Sequence, residues 1–573
     1  MEASKALIGQ IFSSGRLLEI PFYQRAYVWG EEQWSRLLDD LEFVTKTKRY
    51  YFMGSVILKQ DTVPSTCVYS DKRIIIDGQQ RLTTIMILLK VMLLLENNNK
   101  LFDRNYRLDD DSIQLIHGHN DVDAFKKVVD HEDKTKIDNS KPISQIIEAF
   151  NYFLDNIPKR KVDRRVIQQY VQFVCIDLGK EEDEQQVFDT INSLGVRLTT
   201  AELLKNYFFN KDNISEYKKN WVQVFEKDDE SRIYWDTEID AGRIKRSMID
   251  LFFDAFFQVF LQDKKYNISG EDKIAYSRLD RLAKSYQDFI NDYCKGDKSV
   301  VISRMAIYAN TFYKTFRPES CDTTMPAKAG IERINVIIFG LKNTTLIPYV
   351  LYVAANVKDN EELNKIYRVL ETYFFRRIIT HATAKNYNNI FLSLIYNEVL
   401  NADDLYSQLN IAANSTYIPD NVELRNGFHN SYLVNLQTKG ILYFIESAIR
   451  PKGSATALFG FNSYSLEHLM PKKWRNNWDT CATEELAKTR DHKLLTLGNL
   501  AIIPQSLNAS IRDSNWQDKK LGKGDSKPGL TKCAAGIATM HDVLQKTIWN
   551  EAEIEARADW LYQKAVELWK IRG

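Results

Sequence analysis

The chain has 573 residues, of which 44% are hydrophobic and 27% charged, and its formal net charge is +1. This composition excludes an intrinsically disordered chain, and the length predicts about three domains. The near-zero net charge excludes a globally basic nucleic-acid-binding protein, so any surface that binds nucleic acid must be local.

The sequence also predicts a cytoplasmic protein with reduced thiols. Its first residues lack the positively charged and apolar segments of a signal peptide. The most apolar segment, residues 85–95, has about half of the length that spans a bilayer, and Lys90 interrupts it, so we expect a buried helix. The six cysteines are scattered through the chain and show no zinc-binding spacing.

Residues 1–210 predict an α/β domain. A helix within residues 31–44 carries an apolar face, and a strand, a turn and a helix follow in "IIIDGQQRLTTIMILLKVMLLL", residues 74–95. A second α/β unit spans residues 166–209. There "QFVCIDL" predicts a strand, "DEQQVFDTIN" a helix, and "TTAE" the capping-box start of another helix.

The turn in the first unit carries more polar groups than a turn requires. A helix N-terminus binds anions through its unpaired N–H groups and its dipole, and Arg81 adds a bidentate donor for phosphate. Asp77 is suited to holding Mg²⁺ or orienting water, and the glutamine amides to forming neutral hydrogen bonds. No G-x-x-x-x-G-K-[ST] motif is present, which excludes a P-loop. The residues that we predict for this phosphate-binding pocket are Gln24, Arg25, Asp77, Gly78, Gln79, Gln80, Arg81, Asn192, Arg197 and Lys205.

Residues 211–450 predict an almost entirely helical, aromatic-rich region. The stretch "RPKGSATALFGFNSYS", residues 450–465, is rich in glycine and serine and interrupts the helical periodicity. We therefore expect a domain boundary there. A compact unit over residues 451–573 follows, and it ends in a long helix.

The C-terminal unit carries a set of residues suited to phosphodiester hydrolysis. Glu467 and His468 are adjacent on a predicted strand, Asn499 lies in a strand-like hairpin arm, and Asn508 opens a helix. A carboxylate and a carboxamide supply the oxygen ligands that Mg²⁺ prefers, here Glu467 and Asn508. A neutral imidazole beside them, that of His468, can take a proton from water and create the nucleophile.

The same unit is locally basic. Residues 451–540 contain 13 Lys and Arg against eight Asp and Glu. This excess predicts a surface that binds nucleic-acid phosphates. Its predicted contacts are Lys472, Lys473, Arg475, Lys519, Lys520 and Lys523.

These motifs resemble one known family. "LEHLMPKKW", "LGNLAIIPQSLNASIRDSNWQDKK" and the helical tail with Trp549, Ile554, Arg557 and Trp569 are similar to the HNH nuclease half, GmrD, of GmrSD-type modification-dependent restriction enzymes. "IPFYQRAYVW", "YFMGSVIL", "IIIDGQQRLTTI" and "VFDTINSLGVRLTTAELLKN" resemble the other half, GmrS, a DGQQR-type nucleotide hydrolase domain akin to ParB and sulfiredoxin.

The resemblance implies roles for the C-terminal residues. His468 would be the general base, Glu467 and Asn508 the metal ligands, and Asn499 the middle asparagine that fixes the loop around the base. Many HNH enzymes have aspartate before the histidine, whereas this chain has Glu467. The implied fold is a ββα-metal nuclease domain joined through the helical region to a ParB-like domain, so that the whole chain is multidomain α+β.

The function implied is defence of a bacterial cell against phage. The protein would bind and hydrolyse a nucleoside triphosphate of undetermined base, sense a DNA modification, and cut or nick DNA. Hydroxymethylated or glucosylated cytosine is the modification that GmrSD enzymes imply, and phosphorothioate is the one implied by the related SspE-like proteins. The sequence leaves a homodimer open and predicts no membrane partner.

Two other functions remain open at this point. A nucleotide-switched, ParB-like clamp would retain DNA without cutting it. A toxin nuclease directed at RNA would use the same HNH residues on another substrate.

Overall fold

A computed structural model describes residues 2–21, 24, 26–63, 67–118, 121–140, 143–179, 200–209, 213–242, 244–411, 416–450, 457–505, 513–523 and 528–571. The chain is mixed α+β and forms two compact units, Met1–Tyr217 and Lys218–Gly573.

A six-stranded mixed sheet organises the first unit. Its strands lie in the order β1-β6-β3-β4-β2-β5. β1 and β6 are antiparallel, β6 and β3 parallel, β3 and β4 antiparallel, and β2 runs parallel to both β4 and β5. The strands are β1 (Glu2–Leu7), β2 (Arg16–Glu19), β3 (Tyr51–Gln60), β4 (Asp71–Asp77), β5 (Leu115–Ile116) and β6 (Val171–Leu178).

The predicted strand, turn and helix of residues 74–95 are confirmed. β4 ends at Asp77 and the helix Gln79–Leu95 begins two residues later, with every residue from Leu82 to Leu94 buried. That helix is apolar on all sides because it lies within the core, as expected of the most apolar segment of the chain. The helices of this unit are α1 (Ile8–Ile11), α2 (Glu31–Thr47), α3 (Gln79–Leu95), α4 (Asn99–Tyr106), α5 (Val122–Val129), α6 (Gln145–Asn156), α7 (Arg164–Tyr170), α8 (Thr200–Phe208) and α9 (Ile214–Tyr217).

One histidine is buried in this core. The His117 ring lies 4.1 Å from the Phe125 ring, and its Nε2 atom is 3.2 Å from the Thr83 hydroxyl. Its Nδ1 atom is buried without a hydrogen-bond partner among the described residues. Burial lowers the pKa of His117 to about 3, so the folded chain keeps this imidazole neutral.

We expect His117 to make the first unit less stable in acid. Below pH 6.5 the unfolded chain binds a proton at this residue, which the folded chain does not bind until pH falls to about 3. The free energy of unfolding should therefore fall by about 2 kcal/mol between pH 7 and pH 5. Hydrogen exchange of peptides from α3, corrected for the intrinsic effect of pH, measures this loss. His117→Gln should remove it and His541→Gln should not; an unchanged loss in the first variant contradicts the assignment.

The second unit is largely helical, as predicted for residues 211–450. It also contains two small antiparallel pairs, β7 (Glu238–Ala241) with β8 (Ile244–Ser247) and β9 (Tyr464–His468) with β10 (Leu500–Pro504). Its helices are α10 (Gln223–Phe225), α11 (Asp229–Asp236), α12 (Met248–Gln262), α13 (Gly270–Tyr276), α14 (Leu282–Cys294), α15 (Ser299–Thr315), α16 (Ile331–Asn335), α17 (Ile347–Asn356), α18 (Asn360–Ile379), α19 (Tyr387–Tyr396), α20 (Ala402–Leu409), α21 (Asn421–Asn430), α22 (Asn435–Ile449), α23 (Glu484–Lys493), α24 (Trp516–Leu521), α25 (Leu530–Cys533), α26 (His541–Gln545) and α27 (Glu551–Leu568).

The end of the chain is packed into the helical region, and this joins two parts that the sequence predicts as separate domains, 211–450 and 451–573. Trp569 stacks on Phe375 with the ring centroids 4.6 Å apart, and its indole N–H donates to Glu371 at 3.0 Å. The Arg376 Nε atom donates to the Trp569 carbonyl at 2.7 Å. Because these groups are buried, the two parts share one core, and the structure has two units where three domains are predicted.

None of the helices within the described ranges combines the length and the apolar composition needed to cross a membrane. The cysteines whose side chains are described are free thiols, and most of them are buried.

Candidate functional site

The adjacent Glu467 and His468 lie at the end of an antiparallel hairpin, on a strand as predicted. His468 lies opposite Leu500, and Glu467 opposite Ala501. The Glu467 side chain is buried and His468 is partly exposed. The hairpin thus places a buried carboxylate next to an imidazole that solvent can reach.

Asn499 is fully buried in a 3₁₀ turn just before β10, and not within the strand itself. Its Oδ1 atom accepts from the Met470 N–H at 2.8 Å and from the Trp549 indole N–H at 3.0 Å. Its Nδ2 atom donates to the carbonyls of Met470 at 2.8 Å and Leu494 at 3.0 Å. Asn499 therefore holds the loop that follows His468, and its carboxamide is not exposed to a substrate.

Glu467 is paired with a buried lysine. The Lys519 ammonium, on α24, contacts the Glu467 Oε1 atom and donates to the His468 carbonyl at 2.6 Å. The exposed fraction of the Lys519 side chain is 0%, and that of Glu467 is 7%. The prediction that Lys519 contacts DNA phosphates is wrong, because its ammonium is buried and paired with the Glu467 carboxylate.

The His468 imidazole is available as a base. Burial lowers its pKa to about 4, and the positive charges of Lys472 and Lys519 act in the same direction. The ring is therefore neutral at pH 7. Within the described residues, neither ring nitrogen has a hydrogen-bond partner, so one nitrogen is free to accept a proton.

Of the two predicted oxygen ligands for a divalent cation, the structure describes only Glu467. Among the described residues, Lys519 is the one hydrogen-bond donor to the Glu467 carboxylate, and the Oε2 atom receives no donor from them. Asn508, the second predicted ligand, lies outside the described residues. No cluster of three or more His, Cys, Asp or Glu side chains suited to a metal occurs in the described part of the chain.

The other predicted DNA contacts differ in exposure. Lys472 and Lys473 are exposed directly after the hairpin strand. Arg475 forms an ion pair with Asp491 at 2.7 Å, and Lys523 one with Asp518 at 3.1 Å, while both remain more than half exposed. Lys520 donates to the Lys546 carbonyl at 2.9 Å. Lys472 and Lys473 are thus the cations best placed for phosphate.

Two residues of the C-terminal tail support the hairpin, although the sequence assigned them no role. Arg557 is buried on α27, and its Nη1 atom donates to the carbonyls of Leu497, Gly498 and Leu500 at 3.3, 2.9 and 2.7 Å. Trp549 donates to the motif asparagine. The sequence marked them only as members of the terminal pattern that resembles the family, since their partners lie between 50 and 60 residues away.

The polar turn of the first unit lies at the start of α3. Gly78 precedes the helix with φ +98°, a left-handed conformation that L side chains rarely adopt. Gln79 is buried at the first helical position. The helix N-terminus follows the end of β4, where Ile75 and Ile76 are buried.

The glutamines hold the backbone around this turn. The Gln24 Nε2 atom donates to the carbonyls of Ile75 at 2.6 Å and Ile76 at 3.2 Å. The Gln80 Oε1 atom accepts from the Val28 N–H at 2.9 Å, and its Nε2 atom donates to the Ala26 carbonyl at 3.3 Å. Both side chains thus fasten the segment from Gln24 to Val28 to the strand–turn–helix unit.

Arg81 and Asp77 lie on the exposed side of the same turn. Arg81 Nη1 donates to the Ser55 carbonyl at 2.5 Å and is 3.5 Å from Asp77 Oδ2. Both side chains are 29% exposed. Gly54 has φ +120°, and a Cβ atom there would lie 2.9 Å from Arg81 Nε. Any side chain at position 54 would therefore clash with the Arg81 guanidinium.

The remaining predicted pocket residues are distributed differently. Arg25, Asn192 and Arg197 lie outside the described residues, as does the predicted helix "DEQQVFDTIN". Lys205 lies on α8, which begins at Thr200, close to the predicted capping box. The structure therefore brings together Gln24 and residues 77–81.

We expect Gly78→Ala to destabilise the first unit. The substitution forces a side chain into a left-handed conformation, which costs about 1–2 kcal/mol. It also places a Cβ atom 2.9 Å from Val56 Cγ2. Urea denaturation of the intact protein should show a lower midpoint. Gly9→Ala is the control, since its Cβ atom would have no neighbour within 4 Å among the described residues; equal midpoints for the two variants would contradict the account.

Two family models match the chain. The GmrSD restriction endonuclease, N-terminal domain, matches residues 8–209, and the GmrSD restriction endonucleases, C-terminal domain, matches residues 404–564. The first match includes the polar turn at Asp77–Arg81, and the second includes the hairpin with Glu467 and His468. No curated protein sequence matches the chain.

Proposed function

The chain belongs to the GmrSD restriction endonucleases, and we propose that it cleaves foreign DNA in response to a modification, under the control of a bound nucleoside triphosphate. One observation carries the nuclease part of this proposal. A neutral imidazole, that of His468, lies next to a buried carboxylate on a hairpin whose loop is fixed by Asn499.

At this site the base is His468. Its free ring nitrogen takes a proton from a water molecule as that water attacks the phosphorus atom. The bond from phosphorus to one sugar oxygen breaks, and the leaving oxygen takes a proton from solvent water. The low pKa, about 4, keeps the ring unprotonated at neutral pH. Asn499 holds the following loop, and the bonds from Arg557 hold the hairpin, so the imidazole is kept in one place during the reaction.

Glu467 and Asn508 would hold Mg²⁺ or another divalent cation. When bound, the ion polarises the phosphate and stabilises the charge that develops on its oxygen atoms. Glu467 contributes its Oε2 atom, while Oε1 stays with Lys519. Lys472 and Lys473 bind the neighbouring phosphates from the surface, with Arg475, Lys520 and Lys523 farther along the same basic region.

The first unit would bind the nucleoside triphosphate at the start of α3. The N–H groups of the first helical turn and the Arg81 guanidinium bind the phosphates, and Asp77 holds a cation or orients water. Gln24 and Gln80 keep the segment around this site in place, and Gln79 lies at the first helical position. We propose that the sheet of the first unit has a fold akin to ParB and sulfiredoxin. We propose that the β9–β10 hairpin belongs to an HNH domain of the ββα-metal type.

Nuclease activity is tested by incubating the intact protein with Mg²⁺, the four nucleoside triphosphates and modified phage DNA, with EDTA as the control. The proposal predicts strand breaks that need the metal. DNA retained in the presence of nucleotide without any strand break would replace it with a clamp. Preferential cleavage of RNA in the same buffer would replace it with a toxin nuclease.

Nucleotide hydrolysis is tested with the four nucleoside triphosphates, each at the same concentration, by release of phosphate. The proposal predicts release from at least one of them, above a blank without protein. If none of the four nucleoside triphosphates releases phosphate or binds to the intact protein, the proposed nucleotide site is wrong. The proposed nuclease site is not affected by that result.

A further inference from the structure

The buried ion pair between Lys519 and Glu467 joins two elements of the nuclease site. Lys519 lies on α24, and Glu467 lies on β9, 52 residues earlier in the sequence. The ammonium contacts the carboxylate through Oε1 and the backbone carbonyl of His468 at 2.6 Å. One cation therefore fixes the metal-binding side chain and the backbone of the base together.

The helix that carries Lys519 is itself anchored. Asn515 caps it by accepting from the Asp518 N–H at 2.9 Å, and Trp516 packs against Trp549 with the ring centroids 5.5 Å apart. Gln517 donates to the Thr547 carbonyl at 2.9 Å. The backbone of α24 is therefore held, and the Lys519 ammonium is held separately by its two acceptors, Glu467 and the His468 carbonyl.

The contact leaves part of the carboxylate free. Lys519 takes Oε1, and Oε2 receives no hydrogen bond from the described residues. A carboxylate held at one oxygen cannot rotate freely, so the other oxygen keeps a constant direction. Such outer contacts orient metal ligands in many proteins, and their loss weakens metal binding.

We propose that Lys519 is a positioning residue that holds Glu467 so that its Oε2 atom is ready to bind the divalent cation. This inference rests on the proposed nuclease function. It goes beyond that function because it gives a buried lysine the role of orienting the metal ligand.

Two physical effects predict opposite results when Lys519 is replaced. Removing a positive charge close to a cation site should tighten metal binding by Coulomb's law. Removing a positioning contact should weaken it, by about 10–100-fold in comparable metal sites. The sign of the change therefore separates positioning from competition between the ammonium and the metal.

The experiment is Mn²⁺ binding to the intact protein, followed by electron paramagnetic resonance without DNA or nucleotide. Glu467→Gln defines the signal that belongs to this site. Lys519→Met should weaken that binding by about 10–100-fold. Lys532→Met is the control, since Lys532 is exposed on α25 of the same unit and has no assigned role, and it should bind as the wild type does.

Each result decides one point. Unchanged or tighter binding in Lys519→Met, with binding lost in Glu467→Gln, overturns the inference and leaves the proposed function intact. Unchanged binding in Glu467→Gln overturns the metal site itself. If thermal unfolding shows that Lys519→Met does not fold, Lys519→Arg replaces it. Its planar guanidinium cannot reproduce the ammonium geometry, so binding should weaken at least about threefold, and wild-type affinity overturns the inference.

Discussion

Replacing His468 by alanine should reduce DNA cleavage by about 10²–10⁴-fold, the usual contribution of a general base, while nucleotide hydrolysis stays at the wild-type rate. The variant removes the imidazole that takes a proton from water. It leaves the Asn499 hydrogen bonds and the Lys519 contact to the His468 carbonyl in place, because these involve the backbone. Single-turnover cleavage with Mg²⁺ measures the effect.

The matched control is His541→Ala, which removes an exposed histidine from the same unit. It should cut DNA at the wild-type rate. Cleavage by His468→Ala at the wild-type rate would show that the base lies elsewhere in the chain. Loss of both cleavage and nucleotide hydrolysis in His468→Ala would point to misfolding, which thermal unfolding of the variant checks directly.

Replacing Arg81 by alanine should have the reverse effect. Nucleotide hydrolysis should fall by about 10–150-fold, because each charge-assisted hydrogen bond to a phosphate contributes about 1.5–3 kcal/mol. Cleavage measured without nucleotide should stay near the wild-type rate. Release of phosphate from the preferred nucleoside triphosphate measures the first effect, and nicking of supercoiled DNA the second.

Arg81→Lys and Arg36→Ala serve as the two controls for this site. The lysine keeps the positive charge but lacks the planar fork, so hydrolysis should lie between that of the wild type and that of Arg81→Ala. Arg36 is exposed on α2 of the same unit, and its loss should have no effect. Wild-type hydrolysis in Arg81→Ala would remove Arg81 from the nucleotide site.

The strand, turn and helix around Asp77 could be predicted from the sequence because the signals are local. Three isoleucines favour a strand, Asp-Gly favours a turn, and a long apolar run makes a buried helix. The roles of Gln24 and Gln80 could not be predicted in this way. Their partners are backbone atoms about 50 residues away, and an amide side chain looks the same in sequence whether it binds a ligand or a peptide group.

Lys519 shows a second limit of sequence patterns. It is next to Lys520 in a basic stretch, which usually indicates a solvated surface. Neighbouring residues on a helix point about 100° apart, however, so one of two adjacent lysines can turn inward while the other stays near the surface. Only the position of Glu467, on a distant strand, shows which lysine is buried and why.

For a similar reason, the sequence did not predict that residues 211–450 and residues 451–573 share one core. The helix before the glycine- and serine-rich stretch ends at Ile449, and residues 451–456 of that stretch lie outside the described part of the chain. The packing of Trp569 against Phe375 and Glu371 joins the two sides of that stretch in one core. These partners are nearly 200 residues apart, and no local pattern predicts their contact.

The measurement that tests the central claim most directly uses paired phage DNA, one preparation with modified cytosine or phosphorothioate and one without. Each is incubated with the intact protein, Mg²⁺ and a hydrolysable nucleoside triphosphate, and strand breaks are counted. We expect breaks in a modified DNA at a rate well above that in its unmodified partner, and a rate about 10²–10⁴-fold lower with His468→Ala. Equal cleavage of modified and unmodified DNA, or cleavage by His468→Ala at the wild-type rate, would contradict the proposed function.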